Sequence, residues 1–395
     1  MGVIRGVALG GRQGAFDITI EGDRVSAIAA SADASTPRWL AMPSLVNFHA
    51  HANRAFAAPA QRPTSLTDAV AAAGRERASA TVEIIRQRAA RLFRSSIEHG
   101  VSLIRTHTDV DLVTGMRAID GVLAAASDLR AALDIEVVAF ANACADPARV
   151  EMQALLTEAV AQGASLIGAV PALCREPAVS LDALLDLAVA LDVAVDIHLD
   201  EHLDVDSALI EQLVEGSVAR RLEGRVSVSH ACVLSAMDRD HARRLLDRMA
   251  AAAITLVVLP ELNLYLQGRG GAPRERGIAP VIDAIAAGVP VRFGTDNVRD
   301  WFFPFGDGDM LETGYVGAIA SHVDGADDLQ ALMCGGRRCI AVGEVANLVL
   351  VPASSFDDAI ARRPAGRVSY HRGQRVGVDA IPTSSGETEL VDGAQ

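Results

Sequence analysis

The chain has 395 residues, 50% of them hydrophobic, and a net charge of −14. That length and apolar content supply a large core, and the acidic balance argues against nucleic acid or an acidic membrane surface as the main partner. Five scattered cysteines without CxxC spacing argue against a disulfide framework or a zinc ribbon, and the complete lack of lysine excludes Schiff-base, P-loop and carbamylated-lysine chemistry. The first residues lack the basic-then-apolar pattern of a signal peptide, and no apolar run reaches about 18 residues, so a soluble cytoplasmic protein is expected.

Residues 1–38 read as short strands (Val3 to Leu9, Phe16 to Glu21, Val25 to Ala29) separated by Gly-rich turns. From Trp39 the rhythm changes, and short apolar runs alternate with Ala/Leu/Arg/Glu-rich segments of helical period. The candidate strands are Trp39 to Phe48, Val101 to His107, Ile135 to Phe140, Ser165 to Pro171, Ala194 to Leu199, Arg225 to His230, Ile254 to Pro260 and Pro290 to Asp296. Helical stretches between them include Thr81 to Glu98, Glu151 to Gln162, Leu181 to Leu191 and Asp238 to Ala253. Eight β–helix units over residues 39–340 predict a (β/α)8 TIM barrel, with chemistry at the C-terminal ends of the strands. Residues 341–380 return to strand character and are expected to pair with 1–38 in a small β-sandwich. The Ser/Gly/Glu-rich residues 381–395 read as a disordered tail.

The chain is organised around Asn47-Phe-His-Ala-His51. Residues i and i+2 of a strand share a face, so His49 and His51 project together from a strand end. Alone, the pair reads equally well as two rim histidines bonded to loops. His198 ends the fifth candidate strand and Asp296 the eighth, which brings three imidazoles and a carboxylate to one rim. Such ligands suit one divalent ion, zinc or iron(II), with a position left for a water whose pKa the ion lowers. Glu201, three residues past His198, is placed to shuttle protons. His230, at the end of the sixth strand, is placed to hold the water or steady a tetrahedral intermediate. Each has a plainer reading: His198 and His230 as rim histidines, Asp296 as a turn cap, Glu201 as a solvated helix start. The order of all of them at strand ends favours the site. His107 reads as structural or as a second layer behind the ligands, and His99, His241, His322 and His371 as surface.

At these residues the chain resembles the amidohydrolase superfamily, and within it the cytosine deaminase group. The carrying segments are Asn47-Phe-His-Ala-His51, Arg105-Thr-His-Thr-Asp-Val110, Ile197-His-Leu-Asp-Glu201, Val228-Ser-His230, Leu259 to Arg269, Phe293-Gly-Thr-Asp-Asn297 and Phe303-Pro-Phe-Gly306. The resemblance implies a (β/α)8 barrel with a β-sandwich from both termini and a mononuclear metal. It also implies metal ligands His49, His51, His198 and Asp296, a proton shuttle at Glu201, a water-orienting His230, and Asp296 as the first base. The chain departs from cytosine deaminases around the substrate: Ala141-Asn142 replaces Pro-Gln, Asn297 replaces a second aspartate, Arg54 follows the His pair, and Val170 to Cys174 replaces another segment. Substrate contacts are therefore expected at Asn142, Asn297, Arg54 and Phe302, on a small heterocycle other than cytosine, and Arg54 points to an anionic one. The expected activity is deamination of a cyclic amidine or guanidine. The alternatives are hydrolysis of another C–N bond (amine release from a triazine-like ring or opening of a cyclic amide) and a non-catalytic homologue, which retention of Glu201 and His230 disfavours. The apolar content permits a homo-oligomer.

Overall fold

A computed structural model describes residues 2–32, 36–58, 66–143, 145–269 and 274–377. The tail expected over 381–395 and Cys144 lie outside the described residues. The chain opens with β1 (Gly2–Leu9), β2 (Arg12–Glu21), β3 (Arg24–Ala30) and β4 (Leu40–Pro43). Eight strands follow: β5 (Leu45–Ala50), β6 (Val101–Val110), β7 (Asp134–Ala141), β8 (Leu166–Ala169), β9 (Ala194–Leu199), β10 (Val226–His230), β11 (Thr255–Val258) and β12 (Val291–Phe293). The last three are β13 (Leu348–Val351), β14 (Val368–His371) and β15 (Gln374–Val376).

Strands β5 to β12 pair in sequential parallel order, with helices between most of them, as the expected (β/α)8 barrel requires. The barrel closes through a parallel bridge between Ala50 and Asp296, where the Asp296 N–H donates to His49 O at 2.8 Å. Asn47 clips the same seam: its Nδ2 donates to Thr295 Oγ1 at 2.8 Å, and its Oδ1 accepts from the Thr295 N–H at 3.2 Å. Gly294 makes the approach feasible, since a Cβ there would lie 2.7 Å from His49 Cβ.

The helices follow from their sequence. In Val82–Glu98, the Thr81 hydroxyl caps the first turn by accepting from Ile84 N, and Ile85, Ala89, Leu92, Phe93 and Ile97 make one buried stripe. Gly100, at φ +88, then turns the chain into β6.

Both chain ends form one continuous seven-stranded sheet in the order β15-β14-β13-β4-β1-β2-β3, over its own core of Ile4, Ile18, Val25, Leu348 and Leu350. Two expectations are corrected here. Trp39 to Phe48 is not one strand: β4 pairs with β1 and β13 in the terminal sheet, and only β5 belongs to the barrel. The break falls at Ser44, whose N–H is taken by Asn347 O instead of a barrel neighbour. His371, expected at the surface, is 2% exposed, with its Nε2 3.6 Å from Asp134 Oδ1, because β14 packs against the base of β6. His99 and His241 are half-buried and His322 is exposed.

Parallel strands in such a barrel are buried on both faces and usually carry branched apolar side chains inward. Here alternate positions are polar: Arg105, His107 and Asp109 on β6, Asp196 and His198 on β9, Ser227 and Ser229 on β10, all buried. Burying so many polar groups costs stability unless each finds a partner, so this interior marks the site.

Candidate active site

The site sits at the C-terminal ends of the strands. His49 lies on β5 and His51 one residue beyond it, while His198 and His230 belong to β9 and β10. Asp296 is not on a strand: β12 stops at Phe293, and Asp296 sits three residues later at φ +60. His230 is also left-handed, at φ +73. They are two of twelve non-glycine residues at positive φ among the described residues. Asp200 and Ala231, beside Glu201 and His230, are two more, so the backbone at the site is held in place by its surroundings.

The five groups converge. Asp296 Oδ1 lies 3.3 Å from His51 Nε2 and 3.7 Å from His49 Nε2, and Asp296 Oδ2 lies 3.8 Å from His230 Nε2. His198 Nε2 lies 3.2 Å from His51 Nε2. Ligand atoms of His49, His51 and His198 fall within 4.8 Å of one another, as do those of His49, His230 and Asp296, and of His49, His107 and Asp196.

Hydrogen-bond partners fix which nitrogens carry protons. Ser229 Oγ donates to Asp196 Oδ1 at 2.9 Å, so its single proton is used, and at 2.8 Å it accepts from His49 Nδ1. His51 Nδ1 faces the His107 carbonyl at 3.2 Å and must donate to it. Both rings therefore turn a bare Nε2 inward. His230 is the reverse: Asn263 Nδ2, whose other neighbour is Glu201 Oε1 at 3.5 Å, donates to His230 Nδ1 at 3.0 Å. His230 then carries its proton on Nε2, aimed at Asp296.

Burial pushes His49, His51 and His198 well below the ordinary histidine pKa, reinforced by their mutual crowding and, for His51 and His198, by Arg54, which favours neutral rings. Burial also lowers His230, against the pull of Glu201. Asp296 is raised well above the usual carboxylate range by burial and then by Glu201, with Arg54 opposing. His49 Nε2, His230 Nε2 and both carboxylate oxygens of Asp296 are buried without a hydrogen bond. Neutral imidazoles around an unsatisfied carboxylate fit a divalent cation of zinc or iron(II) type. His49, His51, His198 and Asp296 could hold one.

The cluster opens into a cavity of about 470 Å³, within the range that encloses a small molecule. Arg54, Asn142, Asn297 and Phe302 all line it, with His51, His198, Glu201, His230 and Asp296, while His49 lies beneath. Glu201 Oε1 is 3.6 Å from His230 Nδ1, and the Gln267 amide anchors Glu201 by donating to its carbonyl at 3.1 Å. Asp200 is buried rather than solvated, its carboxylate accepting from the Leu209 and Ile210 N–H groups.

At the mouth, Arg54 Nε lies 3.3 Å from Asp300 Oδ2 and its Nη1 3.8 Å from Asp109 Oδ1, with the guanidinium 5.2 Å above Phe302. Asn297 Nδ2 donates to Asp300 Oδ2, and Asn142 Nδ2 donates to Asp111 Oδ2 at 2.9 Å. The arginine that suggested an anionic substrate thus faces two carboxylates of the chain itself.

Sequence reasoning assigned no role to Asn263, Gln267, Asp196, Ser229 or Asp300. A signal existed for Asp196 and Ser229. Asp196 is two residues before His198, on the same strand face, and Ser229 directly precedes His230. Asp300 and Asn263 act through loop and helix geometry that periodicity does not encode.

A parallel barrel with a His/Asp centre on its C-terminal rim is the architecture of a metal-dependent hydrolase. The amidohydrolase family model matches residues 151–376, more than half of the chain, and this chain belongs to that family. It is an enzyme acting on carbon–nitrogen bonds other than peptide bonds. It is 29% identical over 325 residues to the N-isopropylammelide isopropyl amidohydrolase of Pseudomonas sp. (strain ADP), covering 78% of this chain and 77% of that one. It is also 29% identical over 308 residues to the pterin deaminase of Rhizobium rhizogenes, covering 73% and 69%. The solved 5-methylcytosine deaminase of Klebsiella pneumoniae, liganded with 5-fluorocytosine, superposes with a TM-score of 0.87 at 25% identity, covering 95% and 97%. Among the described residues, no helix is long and apolar enough to cross a membrane.

Proposed function

We propose that this chain is a hydrolytic deaminase of a small, uncharged heterocycle, releasing ammonia from a cyclic amidine or guanidine carbon. His49, His51, His198 and Asp296 would hold its single divalent ion, zinc or iron(II). The observation that carries this reading is the opposed polarity of the inward nitrogens. His49 and His51 offer lone pairs to a cation, while His230 offers an N–H across Asp296.

A bound ion of this kind lowers the pKa of its water towards neutrality and so supplies hydroxide at pH 7. The residues of the chain divide the remaining work. Asp296, whose Oδ2 faces His230 across the centre, would accept the proton the water gives up. Glu201 lines the cavity and would protonate the ring nitrogen; the proton held on Asp296 would then pass to the departing amine, and the hydroxyl proton of the adduct would return to Glu201. His230 donates its Nε2–H to the oxygen as the ring carbon becomes tetrahedral. Collapse breaks the exocyclic C–N bond, leaving a ring carbonyl and ammonia.

The mouth supports a ring that carries no negative charge, because Arg54 already faces two carboxylates, Asp300 and Asp109. The relatives named for pterin and for N-isopropylammelide support a heterocycle, and the second supports an alternative: hydrolysis of another C–N bond, freeing a substituted amine or opening a cyclic amide. Ammonia release separates these. Protein loaded separately with zinc and iron(II) should release ammonia from at least one member of a panel of pterins, aminopyrimidines, aminotriazines and cyclic guanidines, with uncharged members ahead of carboxylated ones. Silence across the panel, with amine release or ring opening elsewhere, would replace this reading by the alternative.

A further inference from the structure

We propose that Asp196 is the positioning residue of the metal centre: through Ser229 it locks the proton of His49 on Nδ1 and leaves Nε2 bare for the ion. The inference rests on the metal reading above, and its test is separate from turnover. Asp196 and Ser229 are fully buried and Arg105 nearly so. Arg105 Nη1 donates to Asp196 Oδ2 at 2.8 Å and to Ser227 Oγ at 3.0 Å, and Arg105 Nε donates to Glu136 Oε2 at 2.8 Å. Asp196 Oδ1 takes the Ser229 proton at 2.9 Å, and Ser229 Oγ lies 2.8 Å from His49 Nδ1. A guanidinium only donates and a carboxylate only accepts, so every proton in this chain has one direction. The order runs from Arg105 inward to Asp196 and from His49 through Ser229 back to Asp196. Five strands meet in it, and His107 stacks on His49 at 4.0 Å with its Nε2 3.2 Å from Asp196 Oδ1.

His49, His107 and Asp196 are spaced closely enough to hold an ion of their own. The relay gives them a different task. Arg105 already meets the charge of Asp196, and the Nδ1 proton of His49 is spent on Ser229, so one ion per chain is expected.

Asp196→Asn reverses the relay with almost no change in volume. Arg105 accepts nothing, so the asparagine oxygen must face it, and the amide NH2 then faces Ser229. Ser229 donates to His49 Nδ1 instead, and the imidazole proton moves to Nε2, where it confronts the ion. Outer partners of metal-bound histidines typically govern about 10- to 100-fold in affinity. Asp196→Asn should reach the top of that range, and Ser229→Ala, which frees the tautomer without reversing it, about tenfold.

The measurements are zinc affinity by competition with a chelator, and long-range proton–nitrogen correlation spectra of metal-free protein labelled with 15N-histidine. His49 is assigned by its absence from the spectrum of His49→Gln. Expected are one zinc per wild-type chain, a His49 proton on Nδ1 in wild type and on Nε2 in Asp196→Asn, and the stated affinity losses. Wild-type affinity in Asp196→Asn, an unmoved proton, or a wild type that takes up no zinc overturns the proposal. If Asp196→Asn does not fold, Ser229→Ala decides: unchanged affinity with the proton still fixed on Nδ1 overturns it. A wild type that binds zinc but deaminates nothing removes the proposed activity and leaves the relay standing. Deamination with unaltered zinc binding in the variants does the opposite.

Discussion

At the floor of the cavity the carboxylate of Asp296 meets imidazoles, whereas at the mouth guanidinium groups meet carboxylates: Arg54 against Asp300 and Asp109, and Arg77 against Asp111 at 2.9 Å. The floor is electrostatically incomplete and calls for a cation. The mouth already sets two carboxylates against Arg54, which disfavours a negatively charged ligand. On the proposed reading one end of the cavity holds the chemistry and the other sorts substrates, and the two should respond differently to substitution.

The sharpest way to break this contrast is Glu201→Gln, which replaces the carboxyl of the proposed shuttle with an amide. Turnover should fall about 1,000-fold or more while the metal content stays at the wild-type level. Normal turnover would place the shuttle elsewhere. His230→Ala deletes the N–H aimed across Asp296, and kcat should drop about 100- to 1,000-fold with little change in KM. An effect confined to KM would make His230 a substrate contact instead. At the mouth, Arg54→Gln should leave metal content and kcat near wild type, raise KM about tenfold, and change the ranking of substrates. A collapse in kcat would erase the distinction between the two ends.

The smallest effect concerns stability. Burial alone would raise Asp111, yet hydrogen bonds from Asn142 and from the Thr114 and Val113 N–H groups, with the charge of Arg77, hold its carboxyl below the usual range. A depressed folded-state pKa means that this stabilisation is present above the unfolded value of about 4 and fades as pH falls through the folded one. The melting temperatures of wild type and Asp111→Asn should accordingly converge between about pH 5 and pH 3. A constant gap would show that Asp111 acts by shape rather than by charge.

Much of this architecture was legible in the residues. The alternation of apolar runs and helical segments located all eight barrel strands, and His49, His51, His198, His230 and Glu201 stood at or just past their ends. Strand ends that depend on a sheet neighbour were less legible. Trp39 to Phe48 reads as one apolar run, and only pairing with β1 and β13 divides it. Asp296 reads as the last residue of a strand because Val291 to Thr295 is extended in character, yet the barrel closes by bending the backbone there into a left-handed turn. The charge balance at Arg54 was hidden for a different reason. Its partners are separated from it by 55 and 246 positions along the chain, and local pattern carries no record of who will face whom.

The seam at Asn47 and Thr295, 248 residues apart, has a consequence for how the protein is made. A nascent chain can present the His49–His51 pair early in synthesis, but the carboxylate and the glycine that seat against it emerge only after every other barrel strand. Contacts of such long range are costly to close and form late. Assembly of the catalytic centre and completion of the barrel are then one event. A chain released before Asp296 would carry exposed imidazoles that could capture an ion but not enclose it, and amide exchange at the Asp296 N–H should report barrel opening and loss of the site as a single transition.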